Sequence, residues 1–191
     1  TGVCDIYGCR YTPDDDAVKA VIAINHGMAE HQARYRDFVS FLTSNGFAVY
    51  MHDMANHGKS NNDKNLTGYF GKKDGYKALV KDFDSVVKIA KTDYPDKKLV
   101  IMGHSMGSFI VRCYTAWYPN AGFDGAIYMG TGGSNPIAGV GDFVSSLIAK
   151  VTGYKKKVAL LDKMTFGSYN NKFEKRTAFD WLTRDNSVVD K

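Results

Sequence analysis

Five residues, Gly103-His104-Ser105-Met106-Gly107, put a serine between two glycines, after the apolar run "KLVIM" and before "SFIVRCYTAWY", which reads as helix. A serine hydroxyl attacks a carbonyl only when it is well exposed to substrate and a base takes its proton. The order strand, sharp turn, helix supplies the exposure, because glycines at 103 and 107 let strand and helix approach closely enough for a strained turn. The helix N-terminus behind the serine also favours the negative charge that develops during attack. By composition alone, Gly-x-Ser-x-Gly arises in very roughly one chain in twenty of this length. The flanking strand and helix therefore carry the assignment. A serine that merely capped an ordinary helix would account for Ser105 but not for both glycines. Ser105 is the candidate nucleophile of an acyl transfer.

Acyl transfer also needs hydrogen-bond donors for the tetrahedral oxyanion. One is expected at the backbone N–H of Met106, after the nucleophile. The other is expected at Met28, in the loop that follows the apolar run "AVIAIN" and begins His26-Gly27. His26, Gly27, Glu30 and His104 fall near the site on this reading. The proton acceptor is harder to find. All five histidines, 26, 31, 52, 57 and 104, precede Ser105. His104 is adjacent to the serine and reads as held by packing or a backbone hydrogen bond. His57 belongs to a loop after the strand ending at Asp53. Asp185 and Asp190 follow Ser105, but no apolar strand precedes them and no histidine comes after.

The elements that must position these residues alternate through the first 130 positions. "CDIYGCRYT" (4–12) alternates like a strand and ends at the turn cluster "PDDD". "KAVIAIN" (19–25) and "FAVYMHD" (47–53) are the short apolar runs of strands buried on both faces, and "KLVIMG" (98–103) and "GAIYMG" (125–130) complete the series of strands. Between them, 35–46 places Phe38, Phe41 and Leu42 at helical spacing and stops at Asn45-Gly46. Residues 75–95 put Leu79, Phe83, Val86, Val87 and Ala90 on one stripe and end at Pro95; a third helix spans 105–118. Short connections between such elements predict an α/β architecture, a mostly parallel sheet with helices on both faces.

After Gly130 the pattern changes. "TGGSNPIAGVGD" is rich in turn residues, 143–151 reads as a short amphipathic helix, 172–184 reads as helical, and no further strand is evident. The expected organisation is a core over 1–134 and a helical lid over 135–191. A sheet ending at "GAIYMG" exposes an apolar edge strand, and such edges invite pairing. The expectation is that these residues are the N-terminal and lid portion of a longer protein, or that a further segment or another chain covers that edge.

Composition narrows the function classes. The chain is 44% hydrophobic and 24% charged with four prolines, an ordinary globular balance that argues against disorder. No window approaches about 18 uninterrupted apolar residues, and the first ten residues lack a secretory plan, so a cytoplasmic location is expected. The three cysteines cluster with no histidine at ligand spacing, which suggests neither zinc nor any other metal, and no cofactor motif is present. The net charge of +5 is local: residues 1–144 carry 15 Lys+Arg against 15 Asp+Glu, and residues 145–191 carry 10 against 5. "GYKKKV" lacks the interleaved aromatics of a nucleic-acid groove. A solvated lysine-rich face is the simplest reading of the segment. Together with the amphipathic helix of the lid, the basic excess also suits peripheral contact with an anionic membrane or holding an acyl chain over the serine.

"NHGMAEHQARYRDFVSFLTSNGFAVYMHDMANHGKS" (25–60), then "GHSMGS" (103–108), resembles the monoacylglycerol lipase and lysophospholipase branch of the α/β-hydrolase fold, also described as serine aminopeptidase-like. The match rests on His26-Gly27 with Glu30 and Tyr35 behind it, Asp53 followed by His57-Gly58-x-Ser60, and the glycines around Ser105. "FDWLTRDNSVVDK" is similar to the segment ending the lid in bacterial members. The resemblance implies hydrolysis of lipid-like carboxylic esters, monoacylglycerol or lysophospholipid, by a Ser, Asp, His triad without cofactor. In that order Asp and His follow the serine, so both are expected beyond residue 191. The rival readings are an inactive or ligand-binding protein of the same fold and a peptidase. A peptidase would need an acidic pocket for a substrate amine, for which Glu30, Asp142 and Asp162 are the candidates. Branches of the fold that place an aspartate nucleophile where Ser105 stands are disfavoured.

Overall fold

A computed structural model of the chain describes residues 3–14, 17–71, 74–133, 153, 155, 169–174, 176, 177 and 179–189. Five strands form one sheet: β1 (Gly8–Tyr11), β2 (Ala20–Asn25), β3 (Phe47–His52), β4 (Lys98–His104) and β5 (Gly125–Met129), in the order β1-β3-β2-β4-β5. β1 runs antiparallel to β3 and every other pair is parallel. Helices cover both faces, which is why β2 and β3 are apolar nearly without interruption instead of alternating.

Three helices do the covering: α1 (Arg36–Ser44), α2 (Gly75–Asp93) and α3 (Met106–Trp117). Val21, Ala23, Tyr50, Leu99 and Ile101 meet the inward stripe of α2, with Leu79, Phe83 and Val87, and that of α3, with Ile110, Val111 and Tyr114. On the other face Ile22, Ile24, Val49, Met51 and Met102 pack against Val39 and Leu42 of α1 and against Tyr35 just before it. α1 stops where Gly46 turns left-handed at φ 87° and its N–H donates to the Thr43 carbonyl. α3 ends at Trp117, two residues before Pro119.

The parallel registers decide where the loops emerge. Asn25 lies beside Gly103, Ile24 beside Met51, and His104 beside Met129. The carboxyl ends of β2, β3, β4 and β5 are thus flush, and the residues after them, including His26-Gly27, Asp53, Ser105 and Gly130, gather along one sheet edge. Open α/β sheets bind ligands along that edge. Among the described residues β5 pairs only with β4, and Ile127, Tyr128 and Met129 are exposed.

The chain divides into two compact units, residues 1–135 and 136–191. In the second, the expected helix over 143–151 lies outside the described residues. The continuous helix expected over 172–184 is not formed: Tyr169–Lys172 and Asp180–Leu182 are short 3-10 turns, and Asn186–Val189 is a single helical turn, α4. The reason is local. Asp180 accepts hydrogen bonds from the Thr177 N–H at 2.7 Å and the Thr177 hydroxyl at 2.9 Å, side-chain bonding that competes with a helical backbone.

Candidate active site

Ser105 occupies the turn between β4 and α3 at φ 52°, ψ −119°, a conformation that non-glycine residues seldom adopt. Its neighbours explain how the turn is held. A side chain on Gly103 would run into the Gly107 backbone, and one on Gly107 would run into the Asn25 and His26 carbonyl oxygens. Both glycines are therefore required by contact, in keeping with the sequence argument. The Ser105 N–H donates to the Met129 carbonyl at 2.9 Å, and the Ser105 carbonyl accepts the Ser108 N–H and hydroxyl at 2.9 and 2.6 Å. Met106 is the first residue of α3, so its N–H has no partner within the helix.

The loop after β2 is pressed against this turn. A side chain on Gly27 would lie 2.7 Å from Glu30 Oε1, 3.2 Å from His104 Nδ1 and 3.3 Å from Ser105 Cβ. Glu30 Oε1 accepts the Gly27 N–H at 2.5 Å, the Tyr35 hydroxyl at 2.9 Å and the His104 Nδ1–H at 3.0 Å. Arg34 stands 3.9 Å from the other carboxylate oxygen. Burial works against ionisation of Glu30, yet the bonds from His104, Gly27 and Tyr35 outweigh it and hold the carboxyl below the usual glutamate range. Burial and then the Glu30 charge push the Tyr35 phenol up, so it remains a donor.

The sequence-predicted residues thus come together as follows. Ser105, Gly27, Glu30 and His104 form one contiguous cluster. His26 is fully buried beneath it, with Nε2 accepting the Met54 N–H at 2.9 Å and Nδ1 donating to the Gly27 carbonyl at 2.7 Å. Burial lowers its pKa and keeps it neutral. His57 is occupied in the same way: Nε2 accepts the Ala29 N–H at 3.4 Å and Nδ1 donates to the Ala55 carbonyl at 3.0 Å. The Asp53, His57-Gly58-x-Ser60 segment is a staple. Asp53 accepts the Gln32 and Lys59 N–H groups at 2.8 Å each, and the Ser60 hydroxyl donates to the Asp53 carbonyl. Asp185 accepts from Ser187 at the start of α4. Among the described residues no histidine is hydrogen-bonded to Ser105. Asp142, Asp162 and Asp190 lie outside them.

Sequence reasoning missed Met129 and Ser108, which hold the Ser105 backbone from both sides, and Gly130, at φ 61°, whose Cβ position is 3.5 Å from the His104 ring. The glycine cluster after "GAIYM" was the only available hint of the last. Among the described residues no group of His, Cys, Asp and Glu is arranged to hold a metal, and no helix is long and apolar enough to cross a membrane.

This sheet order, the left-handed serine turn and the loop braced against it are those of an α/β hydrolase, the fold of many esterases and lipases. Residues 16–191 match the serine aminopeptidase S33 family, and the chain belongs to it. It is 33% identical over 152 residues to a monoacylglycerol lipase of Mycolicibacterium smegmatis, covering 78% of this chain and 49% of that one. It is 35% identical over 106 residues to a monoglyceride lipase homolog of Monkeypox virus, covering 56% of this chain and 36% of that one. The structure of a thermostable carboxyl esterase from Bacillus coagulans superposes with a TM-score of 0.85 at 29% identity, over 98% of this chain and 60% of the esterase. The chain spans about a third to a half of the length of the two curated relatives.

Proposed function

We propose that Ser105 is the nucleophile of a carboxylic ester hydrolase acting on lipid-like esters, monoacylglycerol or lysophospholipid. The observation that carries this reading is the strained left-handed conformation of Ser105 above the N-terminus of α3, with the Met28 loop packed beside it. Strain of about 1–3 kcal/mol at one residue persists where the surrounding structure holds it for a purpose. The Met106 and Met28 N–H groups are the oxyanion donors on this reading. The likeness to monoacylglycerol lipases and to a carboxyl esterase supports the substrate class. The triad Asp and His are supplied by the whole protein beyond residue 191, residues 135–191 act as the lid, and the outer edge of β5 is covered there by further chain or by another copy.

A peptidase of this fold is less well supported. Glu30, one of its candidate amine-binding carboxylates, already accepts three hydrogen bonds and faces Arg34. A non-catalytic binding protein is favoured by one observation, the absence of a histidine bonded to Ser105 among the described residues. A fluorophosphonate probe separates the two. Labelling of the full-length protein that vanishes in Ser105→Ala, with faster turnover of long-chain than short-chain monoacylglycerol, is the expected result. An unlabelled full-length protein overturns the proposal.

A further inference from the structure

Met28 sits between two amides that are both tied to side chains. The Gly27 N–H donates to Glu30 Oε1 at 2.5 Å, and the Ala29 N–H donates to His57 Nε2 at 3.4 Å. Among the described residues the Met28 N–H donates to no protein acceptor. We infer that Glu30 and His57 are positioning residues for the oxyanion loop: by fixing the amides on either side of Met28, they leave its N–H free and set its direction.

The physical need is plain. Met28 is in a loop outside any helix or strand, half exposed, and its backbone has no ladder to hold it. A donor for an oxyanion must lie within about 3 Å of the developing charge, and a displacement of about 1 Å can cost on the order of a hundredfold in rate. Ala29 is itself at φ 58°, a strained value for a residue with a Cβ, so the loop needs outside bonds to keep its shape.

Each acceptor is anchored on its own account. Glu30 is bonded to Tyr35 at the entrance of α1 and to His104 beside the nucleophile, so it couples the loop to the serine turn. His57 must accept at Nε2, which puts its proton on Nδ1, and that proton is held by the Ala55 carbonyl. The ring also stacks on Phe70, with centroids 5.7 Å apart and planes within 10°. Neither side chain touches substrate on this assignment. Both act through the backbone of Gly27, Met28 and Ala29.

This inference rests on Ser105 being the nucleophile, and its test keeps the two apart. In the full-length protein, kcat and KM for a chromogenic ester are measured for Glu30→Gln, Glu30→Ala and His57→Phe, with thermal unfolding confirming that each folds. Backbone amide exchange at Gly27 and Ala29 is followed in parallel. Glu30→Ala and His57→Phe are expected to lower kcat by about tenfold or more with KM within about twofold, and to speed exchange at Gly27 and Ala29 respectively. Glu30→Gln keeps the acceptor oxygen and is expected to stay within about threefold of the parent. Unchanged kcat, a loss confined to KM, or a glutamine variant as impaired as the alanine one overturns the inference. If the parent turns over no ester, the hydrolase reading fails, and amide exchange alone decides: faster exchange in the variants supports the two anchors, and unchanged exchange removes them.

Discussion

At Ser105 the backbone stores strain that the fold pays for elsewhere, so function and stability should separate there. Replacing Ser105 by glycine removes the Cβ from a φ of 52° while adding backbone freedom to the unfolded chain. The net expectation is a stabilisation of about 1 kcal/mol in chemical denaturation together with complete loss of fluorophosphonate labelling. A destabilised Ser105→Gly would mean that the turn is not strained. Gly107→Ala should do the opposite. Its Cβ would meet the carbonyl oxygens of Asn25 and His26, which are backbone and cannot swing aside, so a loss of about 2–3 kcal/mol is expected. A variant as stable as the parent would show that α3 can shift away from β2. These two glycines and the serine could be read from sequence because a sharp strand-to-helix turn writes its requirements locally. The Met129 carbonyl on the Ser105 N–H, and the His57 ring on Ala29, could not. Each joins residues more than twenty positions apart, and a backbone carbonyl leaves no mark on residue identity.

The strands and the first three helices were legible because short windows code them: buried apolar runs for β2, β3 and β4, alternation for β1, an apolar run for β5 and amphipathic stripes for the helices. Where side chains compete with the backbone, as Thr177 and Asp180 do, periodicity alone misled. One property of the strand ends was hidden altogether: His26 after β2, and His52 and His57 at and after β3, are all buried and neutral. Burial, the largest cause in each, lowers their pKa values, that of His52 from 6.5 to about 3. The unfolded chain binds protons at these positions below about pH 6.5 while the folded one does not, so stability present at neutral pH is lost as pH falls. His52 alone contributes a slope approaching about 1.4 kcal/mol per pH unit through that window. Glu30, whose pKa is also lowered, adds its loss only below its ordinary 4.5, so the interval from pH 6.5 to 5 isolates the histidines. Urea unfolding at pH 7, 6 and 5 should show this fall, and His52→Phe, beside Phe83, should reduce its slope by about 1 kcal/mol per pH unit. An unchanged slope in that variant would assign the acid sensitivity to other groups.

Across the whole chain, the positive excess lies in the last quarter. Residues 1–144 balance 15 Lys+Arg with 15 Asp+Glu, whereas residues 145–191 carry 10 against 5. On the proposed reading, a charge-balanced segment joined to a basic one suits a substrate that lies in an anionic interface: the basic part would supply attraction and the rest would be spared non-specific adhesion. Lysines at a lipid surface contribute about 1 kcal/mol each, and the attraction decays over a Debye length of about 10 Å at 0.1 M salt. The full-length protein should therefore sediment with phosphatidylglycerol vesicles at low salt, release in about 0.5 M salt, and stay in solution with phosphatidylcholine alone. Converting Lys155, Lys156 and Lys157 to glutamine should weaken the anionic binding by about a hundredfold while leaving hydrolysis of a water-soluble short-chain ester unchanged. Equal binding to neutral and anionic vesicles would show that apolar insertion, not charge, brings the enzyme to lipid. Loss of short-chain activity in the triple variant would place those lysines in the active site's support instead of on a membrane-facing surface.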